Sequence, residues 1–192
     1  MNNILPFDGE VFLYENFYNR IEADGLFIAL QEEIDWKQES IKIFGKEKQL
    51  PRLTAWYGDE GKSYTYSGLE NIPIPFSGQL ITIKEKLESF TKYSFNAALL
   101  NFYRTGTDSM GWHSDNEKEL GINPVIASLS FGGSRVFQLK HKVDKASKQN
   151  ITLNTGSLLL MKGSTQHNWL HQVPKTVRPI EARINITFRN IQ

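Results

Sequence analysis

The sequence predicts an α+β fold in which β-strands dominate. Two stretches, residues 17–34 and 77–90, have apolar residues at helical spacing, whereas most other apolar residues alternate with polar ones in short runs. Glycine, asparagine, aspartate and proline separate these runs, as turn residues do. Two helices and many short strands are accommodated most simply if the strands close into a sandwich or jelly roll.

The two helices are predicted from apolar residues that recur on one face. In residues 17–34 this face consists of Ile21, Leu26, Phe27, Leu30 and Ile34. In residues 77–90 it consists of Leu80, Ile83, Leu87 and Phe90. Gly25 weakens the first helix, and the side chain of Ser77 is placed to cap the second.

The strands are predicted from alternating apolar residues between turn residues. They comprise residues 41–44, 95–104, 125–131, 136–140, 151–153, 157–161 and 183–189. No repeat, low-complexity stretch or linker divides the chain, so its 192 residues are expected to form a single domain, 1–192.

The composition excludes several classes of protein. The chain has no cysteine, which rules out disulfide scaffolds, iron–sulfur proteins and thiol nucleophiles. It shows neither a signal peptide nor an apolar stretch long enough to span a membrane. We therefore expect an intracellular protein with no membrane partner, located in the cytoplasm of a bacterium or the nucleus of a eukaryote.

The net charge of +1 hides an uneven distribution. Residues 1–35 carry eight acidic residues and one basic residue, a net charge of −7, which leaves +8 on residues 36–192. Residues 37–52 and 135–148 each contain five basic residues. Each patch alone is typical of a solvated face, but two of them on one chain favour a polyanionic partner such as nucleic acid.

A candidate metal site begins at His113 and Asp115. Side chains two residues apart on an extended chain point to the same side, so these two can converge on one ion. The other three histidines, His141, His167 and His171, lie downstream and are all candidates for a third ligand. Two imidazoles and one carboxylate suit Fe(II), because they leave open positions for an oxygen-activating cosubstrate.

Residues 183–189 alternate without a break. One face carries Ile184, Ile186 and Phe188, and the other carries Arg183, Asn185, Thr187 and Arg189. The polar face could lie in water at the edge of a sheet. If it instead points into a barrel together with Asn101 and Tyr103 of residues 95–104, the two arginines need an anionic partner, for which a small dicarboxylate such as 2-oxoglutarate is suited.

Several motifs occur in the order in which a known family has them. They are Asn101-Phe102-Tyr103, His113-Ser114-Asp115, residues 130–137, residues 156–159, residues 169–175 and residues 183–189. With them, residues 41–190 resemble the AlkB family of Fe(II)/2-oxoglutarate-dependent nucleic-acid dioxygenases. The upstream motifs, residues 43–46, 51–52, 56–59 and 64–68, are most similar to the branch that acts on double-stranded DNA.

The resemblance implies a fold and a set of cofactor ligands. The fold would be a double-stranded β-helix (jelly roll) with N-terminal helices packed on it: an acidic helical segment 1–35, nucleotide-recognition hairpins 36–70 and a catalytic core 95–192. Iron would be held by His113, Asp115 and His171, the last preferred over His167 by its sequence context. The far carboxylate of 2-oxoglutarate would be held by Arg183, Asn185 and Tyr103, and its iron-chelating end by Arg189 and Asn101, with Thr187 close by.

The implied reaction is oxidative demethylation of N1-methyladenine and N3-methylcytosine in DNA. It would use Fe(II), 2-oxoglutarate and O₂ and release succinate, CO₂ and formaldehyde. The implied partner is alkylated DNA, as a duplex with a flipped base, because a base that cannot pair is easier to flip. RNA is a further candidate substrate, and a monomer is expected.

Three features, at Tyr66, Glu117 and Phe44, match the family's base-recognition residues. Tyr66, within Tyr64-Thr65-Tyr66-Ser67, would stack on the flipped base, and Glu117 would contact the base edge. Asn116 departs from the acidic residue usual in the double-strand branch. Phe44, followed by Gly45 and Lys46, would insert into the duplex in place of the flipped base. Apart from the resemblance, the basic residues Lys140, His141, Lys142, Lys145 and Lys148 predict a long loop that could contact the opposite strand, although this composition also suits a merely mobile loop.

Three other interpretations remain open from the sequence. The same chemistry could act on RNA or single strands. The chain could be a catalytically silent nucleic-acid-binding jelly roll, although the intact ligands argue against this. A zinc hydrolase could use the same His/Asp/His set, but it would have no use for Arg183 and Arg189.

Overall fold

The structure, a computed structural model, describes residues 2–43, 46–60, 64–66, 69–71 and 73–192. The α-helices are α1 (Arg20–Glu33), α2 (Gln79–Thr91) and α3 (Thr165–Asn168), and a short 3-10 helix spans Lys118–Leu120. The strands of the first half are β1 (Glu10–Tyr14), β2 (Ser40–Ile43), β3 (Lys46–Gln49), β4 (Leu53–Gly58), β5 (Tyr64–Tyr66), β6 (Leu69–Asn71) and β7 (Ala97–Tyr103). Those of the second half are β8 (Met110–His113), β9 (Ile126–Gly132), β10 (Arg135–His141), β11 (Lys148–Leu153), β12 (Leu158–Lys162), β13 (Trp169–Val173) and β14 (Arg183–Arg189).

Two antiparallel sheets form the body of the fold. The larger has six strands in the order β1-β12-β9-β14-β7-β4, and the smaller has four in the order β11-β10-β13-β8. One hydrophobic cluster joins Leu99 and Leu159 of the larger sheet to Leu139 and Trp169 of the smaller, so the sheets face each other. The predicted α+β class, mainly β and of the jelly-roll type, is confirmed.

The two long helices cover the other face of the larger sheet. Leu30 of α1 and Ile83 of α2 belong to a second buried cluster that contains Ile184, Ile186 and Phe188 of β14. Every residue of β14 is buried. β14 is also the fourth of six strands, so the interpretation of residues 183–189 as an edge strand with its polar face in water is wrong.

The first predicted helix is confirmed with a later start. Asn19 caps α1: its side chain accepts a hydrogen bond from the Glu22 backbone nitrogen at 3.0 Å, and Glu22 Oε2 accepts one from the Asn19 nitrogen at 3.0 Å. Leu30 and Ala23 are buried, but Ile21, which the periodicity placed on the buried face, is 86% exposed.

The second predicted helix is confirmed with a different cap. The residue before α2 is Gly78, which has a positive φ of 51°, and the Ser77 side chain makes no capping bond. Instead, Glu33 Oε2 at the end of α1 accepts a hydrogen bond from the Gln79 nitrogen at 3.3 Å. One helix therefore supplies the acceptor for the other, which local sequence cannot show.

Replacing the α1 cap is expected to destabilise the protein modestly. Asn19→Ala should lower the free energy of unfolding by about 1 kcal/mol, because a helix-terminal N–H loses its acceptor. Asn19→Ser, which keeps an acceptor oxygen, and Asn16→Ala, at an exposed position before the helix, should each stay within about 0.5 kcal/mol of wild type. Urea unfolding measures all three, and equal losses for Asn19→Ala and Asn19→Ser would contradict the assignment.

All seven predicted strands are present, and further strands were missed. β1 lies within the expected acidic helical segment 1–35 and pairs with β12 along its whole length. β4 lies within the expected hairpin region 36–70 and pairs with β7 at the edge of the larger sheet. Both segments thus contribute to the body of the fold. None of the helices in the described ranges combines the length and hydropathy that crossing a membrane requires.

Candidate active site

A narrow pocket lies between the two sheets. Its walls include all nine residues that the sequence assigned to metal and cosubstrate binding: Asn101, Tyr103, His113, Asp115, His171, Arg183, Asn185, Thr187 and Arg189. β7 and β14 supply the larger sheet's side, and β8 and β13 supply the smaller sheet's side. Strand pairing therefore brings together residues that are separated by up to 88 positions in the chain.

The candidate metal ligands converge on the smaller sheet. His171 of β13 pairs directly with His113 of β8, and Asp115 follows β8 by two residues. The ligand atoms of the three side chains all lie within 4.8 Å of one another. His113 Nε2 is 4.0 Å from Asp115 Oδ1. Two imidazoles and a carboxylate form the donor set that Fe(II) oxygenases use, so the residues fit this ion.

The other two histidines lie outside this group. His167 is exposed, and its Nε2 accepts a hydrogen bond from the Asn123 nitrogen at 3.4 Å. His141 is buried, and its Nε2 lies 3.5 Å from Asp8 Oδ2. Of the three candidates for the third ligand, the structure brings only His171 to His113 and Asp115 within the described part of the chain.

The protonation states of the buried ligands suit a metal ion. Burial, together with the nearby His113, lowers the pKa of His171 to about 3. Burial alone would raise the pKa of Asp115, but the charge of Arg189 and the adjacent imidazoles outweigh it and lower this pKa to about 2. A neutral imidazole and an ionised carboxylate are the forms that bind metals.

The orientation of His113 is set by a backbone oxygen. Its Nδ1 lies 2.8 Å from the Gly111 carbonyl oxygen. A carbonyl oxygen can accept a hydrogen bond but cannot donate one. Nδ1 therefore carries the proton, and Nε2 is left with its lone pair toward Asp115. This acceptor could not be identified from the sequence, because backbone oxygens carry no sequence signal.

The polar face of β14 forms the wall next to the metal ligands. Arg183 lies opposite Tyr103 and Asn185 lies opposite Asn101 in the pairing with β7. At the other end of β14, Arg189 Nη2 donates a hydrogen bond to Asp115 Oδ2 at 3.2 Å. Arg189 thus marks the metal end of the pocket, and Arg183 lies six residues away along the strand.

Arg183 is the cation best suited to an anionic ligand. It is 1% exposed, and burial lowers the pKa of its guanidinium to about 10. Its Nη2 donates to Ser130 Oγ at 2.9 Å, but its buried Nε and Nη1 have no hydrogen-bond partner among the residues that the structure describes. A carboxylate can satisfy such paired donors, so this end of the pocket fits 2-oxoglutarate.

Several polar residues that support the site were not predicted from the sequence. Ser130 and Ser128 of β9 accept hydrogen bonds from Arg183 and Asn185, the latter at 2.8 Å. Arg52 donates to Asn101 Oδ1 at 2.7 Å and so fixes the orientation of this amide. The occurrence of Arg52 and Ser130 in family motifs was a signal, whereas nothing in the sequence distinguished Ser128.

The predicted base-binding residues are described only in part. Phe44, Gly45 and Ser67 lie outside the described residues, as do the side chains of Lys46, Tyr64, Thr65 and Tyr66, whose backbones lie in β3 and β5. Asn116 is exposed. Glu117 is half-buried, and its buried Oε2 has no hydrogen-bond partner in the described ranges. Asn116 follows Asp115 directly, and Glu117 is the next residue.

The expected basic loop is only partly free to bind phosphate. Lys145 and Lys148 are exposed, but His141 is buried against Asp8, and Lys142 Nζ donates to Ser114 Oγ and the Gln166 backbone oxygen. The inclusion of His141 in a strand-contacting loop is therefore wrong.

Comparison with known proteins identifies the family. The family described as the 2OG-Fe(II) oxygenase superfamily matches residues 10–189. The alpha-ketoglutarate-dependent dioxygenase alkB homolog 3 of Bos taurus is 41% identical over 94% of this chain, and that of Homo sapiens is 40% identical. The chain spans 66% of the length of each of these two relatives.

A second group of relatives supports the same family, and one solved structure supports the fold. The DNA oxidative demethylase ALKBH2 of Mus musculus is 35% identical over 93% of this chain and 79% of its own length. A structure described as that of OsALKBH1 superposes with a TM-score of 0.66 over 94% of this chain and 97% of its own, at 16% identity, which supports the fold alone. The chain therefore belongs to the 2OG-Fe(II) oxygenase superfamily, among its AlkB-like dioxygenases, whose cofactors are Fe(II), 2-oxoglutarate and O₂.

Proposed function

We propose that this protein demethylates N-alkylated bases in nucleic acid, with N1-methyladenine and N3-methylcytosine in DNA as substrates. The observation that carries the proposal is one pocket with a His113/Asp115/His171 group at one end and the buried, incompletely bonded Arg183 at the other. The relatives named DNA oxidative demethylase support DNA as the substrate.

The protein's own residues would bind and orient the ion and the cosubstrate. His113, Asp115 and His171 would hold the ion on one side, which leaves positions for 2-oxoglutarate and O₂. Arg183 and Asn185 would bind the far carboxylate of 2-oxoglutarate, with Tyr103 beside them, and Arg189 lies at the metal end. When bound, the iron with its cosubstrates supplies the oxidation of the N-methyl group, and the products are succinate, CO₂, formaldehyde and the repaired base.

Glu117 supports a cationic base as the substrate. Its half-buried carboxylate follows the metal ligand Asp115 by two residues, and its Oε2 is buried without a hydrogen-bond partner in the described part of the chain. N1-methyladenine and N3-methylcytosine carry a positive charge that a carboxylate complements. Tyr66 as a stacking platform for this base stays a prediction from the sequence.

Turnover of 2-oxoglutarate with methylated oligonucleotides tests the proposal. Succinate and the demethylated base should form in equal amounts, with single-stranded DNA, duplex DNA and RNA as three arms. Succinate formation without base repair would contradict the assignment of methylated bases as the substrate. Hydrolysis with zinc in place of iron and 2-oxoglutarate would favour a hydrolase. Binding of oligonucleotides without any succinate would indicate a silent nucleic-acid-binding protein. A monomeric state and an intracellular location stay predictions.

Phe44 tests whether duplex DNA is the preferred substrate. An inserted side chain offsets an unstacking cost of a few kcal/mol, and this cost is mostly absent in a single strand. We expect Phe44→Ala to impair repair of methylated duplex strongly and of single strands weakly. Phe90→Ala, which removes a half-exposed phenylalanine from α2, is the matched control and should leave the ratio of the two rates unchanged. Equal losses on both substrates for Phe44→Ala would contradict insertion.

A further inference from the structure

The chain segment His113–Asp115, which carries two of the metal ligands and is called the turn below, is held by a residue of α3. Gln166 is fully buried, and its Oε1 accepts a hydrogen bond from the Asp115 backbone nitrogen at 2.9 Å. Asp115 is itself buried. Without Gln166 this N–H would be a buried donor with no acceptor, which is energetically unfavourable. The turn would have to move to bring the N–H to another acceptor or to water.

Lys142, the residue that follows β10, holds the same turn from a second direction. Its Nζ donates to Ser114 Oγ at 3.1 Å and to the Gln166 backbone oxygen at 2.9 Å. Ser114 lies between the ligands His113 and Asp115. Lys142 thus links the middle of the ligand turn to the helix that bonds its end.

The helix that bears Gln166 is anchored to the rest of the fold. Thr165 Oγ1 donates to the Lys162 carbonyl oxygen at 2.6 Å and accepts from the Glu10 nitrogen at 2.8 Å, so α3 is tied to β12 and β1. α3 leads directly into β13, which carries the third ligand His171. Gln166 and Lys142 therefore connect the turn with His113 and Asp115 to the segment that places His171.

We propose that Gln166 and Lys142 are positioning residues that hold Ser114 and Asp115 in the geometry required for metal binding. The inference rests on the metal site of the proposed function. Neither side chain belongs to the group of ligand atoms, so both would act through the turn. Partners of this kind commonly change metal affinity about 10- to 100-fold when they are replaced.

Titration with Mn²⁺ alone tests this without any turnover. Binding is followed by the loss of the electron paramagnetic resonance signal of free Mn²⁺. Gln166→Met keeps the length of the side chain but removes the acceptor, and Lys142→Met removes the donor. We expect Gln166→Met to weaken binding about 10- to 100-fold, and Lys142→Met to weaken it in the same direction. Lys142→Arg, which keeps hydrogen-bond donors, should restore most of the affinity.

Gln31→Met, at an exposed position of α1, is the matched control and should bind Mn²⁺ like wild type. Unfolding of each variant without metal separates positioning from a general loss of stability. If Gln166→Met does not fold, the half-buried Lys142 and its two variants decide the question. A folded Gln166→Met or Lys142→Met with wild-type affinity, or equal losses for Lys142→Met and Lys142→Arg, would overturn the proposal. Failure of the wild-type protein to bind Mn²⁺ would instead overturn the metal site itself.

Discussion

His113→Ala, Asp115→Ala and His171→Ala are each expected to abolish demethylation, whereas His167→Ala retains most of it. The three ligand atoms lie within 4.8 Å of one another, and His167 is exposed outside this group. Loss of one ligand from a set of three leaves the ion too weakly held to support the reaction. Release of succinate and of demethylated base from a methylated oligonucleotide measures the effect.

His141 provides the control for loss of a buried histidine. Its Nε2 lies 3.5 Å from Asp8 Oδ2, and it is not one of the three candidate metal ligands. His141→Ala should therefore lower the free energy of unfolding while Mn²⁺ binding is retained, and His171→Ala should lose Mn²⁺ binding. An inactive His167→Ala beside an active His171→Ala would show that the ligand assignment is wrong.

The local part of the metal site could be predicted from the sequence, and the non-local part could not. His113 and Asp115 are two residues apart, so the period of an extended chain is enough to place them together. The third ligand, His171, lies 58 residues after His113 and reaches it only because β13 pairs with β8. Spacing alone left three histidines as candidates for this ligand. The resemblance to a family selected His171, and the structure agrees.

The difference between local and non-local information also explains what could be predicted about the polar face of β14, where 2-oxoglutarate would bind. The alternation of residues 183–189 predicted which side chains share a face, and Arg183 and Asn185 do lie opposite Tyr103 and Asn101. Whether that face meets water depends on the smaller sheet that packs across it, which periodicity does not specify. Supporting residues such as Ser128 and Gln166 were missed for the same reason, because each acts through one hydrogen bond to a distant part of the chain.

Arg183→Met is expected to raise the 2-oxoglutarate requirement sharply. Removing one partner of a buried charge-assisted pair costs about 2–5 kcal/mol, or roughly a 30-fold to several-thousand-fold loss of affinity. Arg178→Met, at an exposed arginine that does not line the pocket, is the matched control and should leave the requirement unchanged. Succinate formation over a range of 2-oxoglutarate concentrations measures both.

The same variant should have the opposite effect on the protein without 2-oxoglutarate. Burial lowers the pKa of Arg183 to about 10, so the folded protein stabilises the charged guanidinium less well than water does. Methionine fills a similar length without a charge, and Arg183→Met should therefore be at least as stable as wild type when only Mn²⁺ is present. Adding 2-oxoglutarate at about 100 times its wild-type dissociation constant should stabilise the wild-type protein by about 2.7 kcal/mol and the variant by much less. Equal stabilisation of the two proteins, together with wild-type turnover, would show that Arg183 does not bind the cosubstrate, and the hydrolase interpretation would then be favoured.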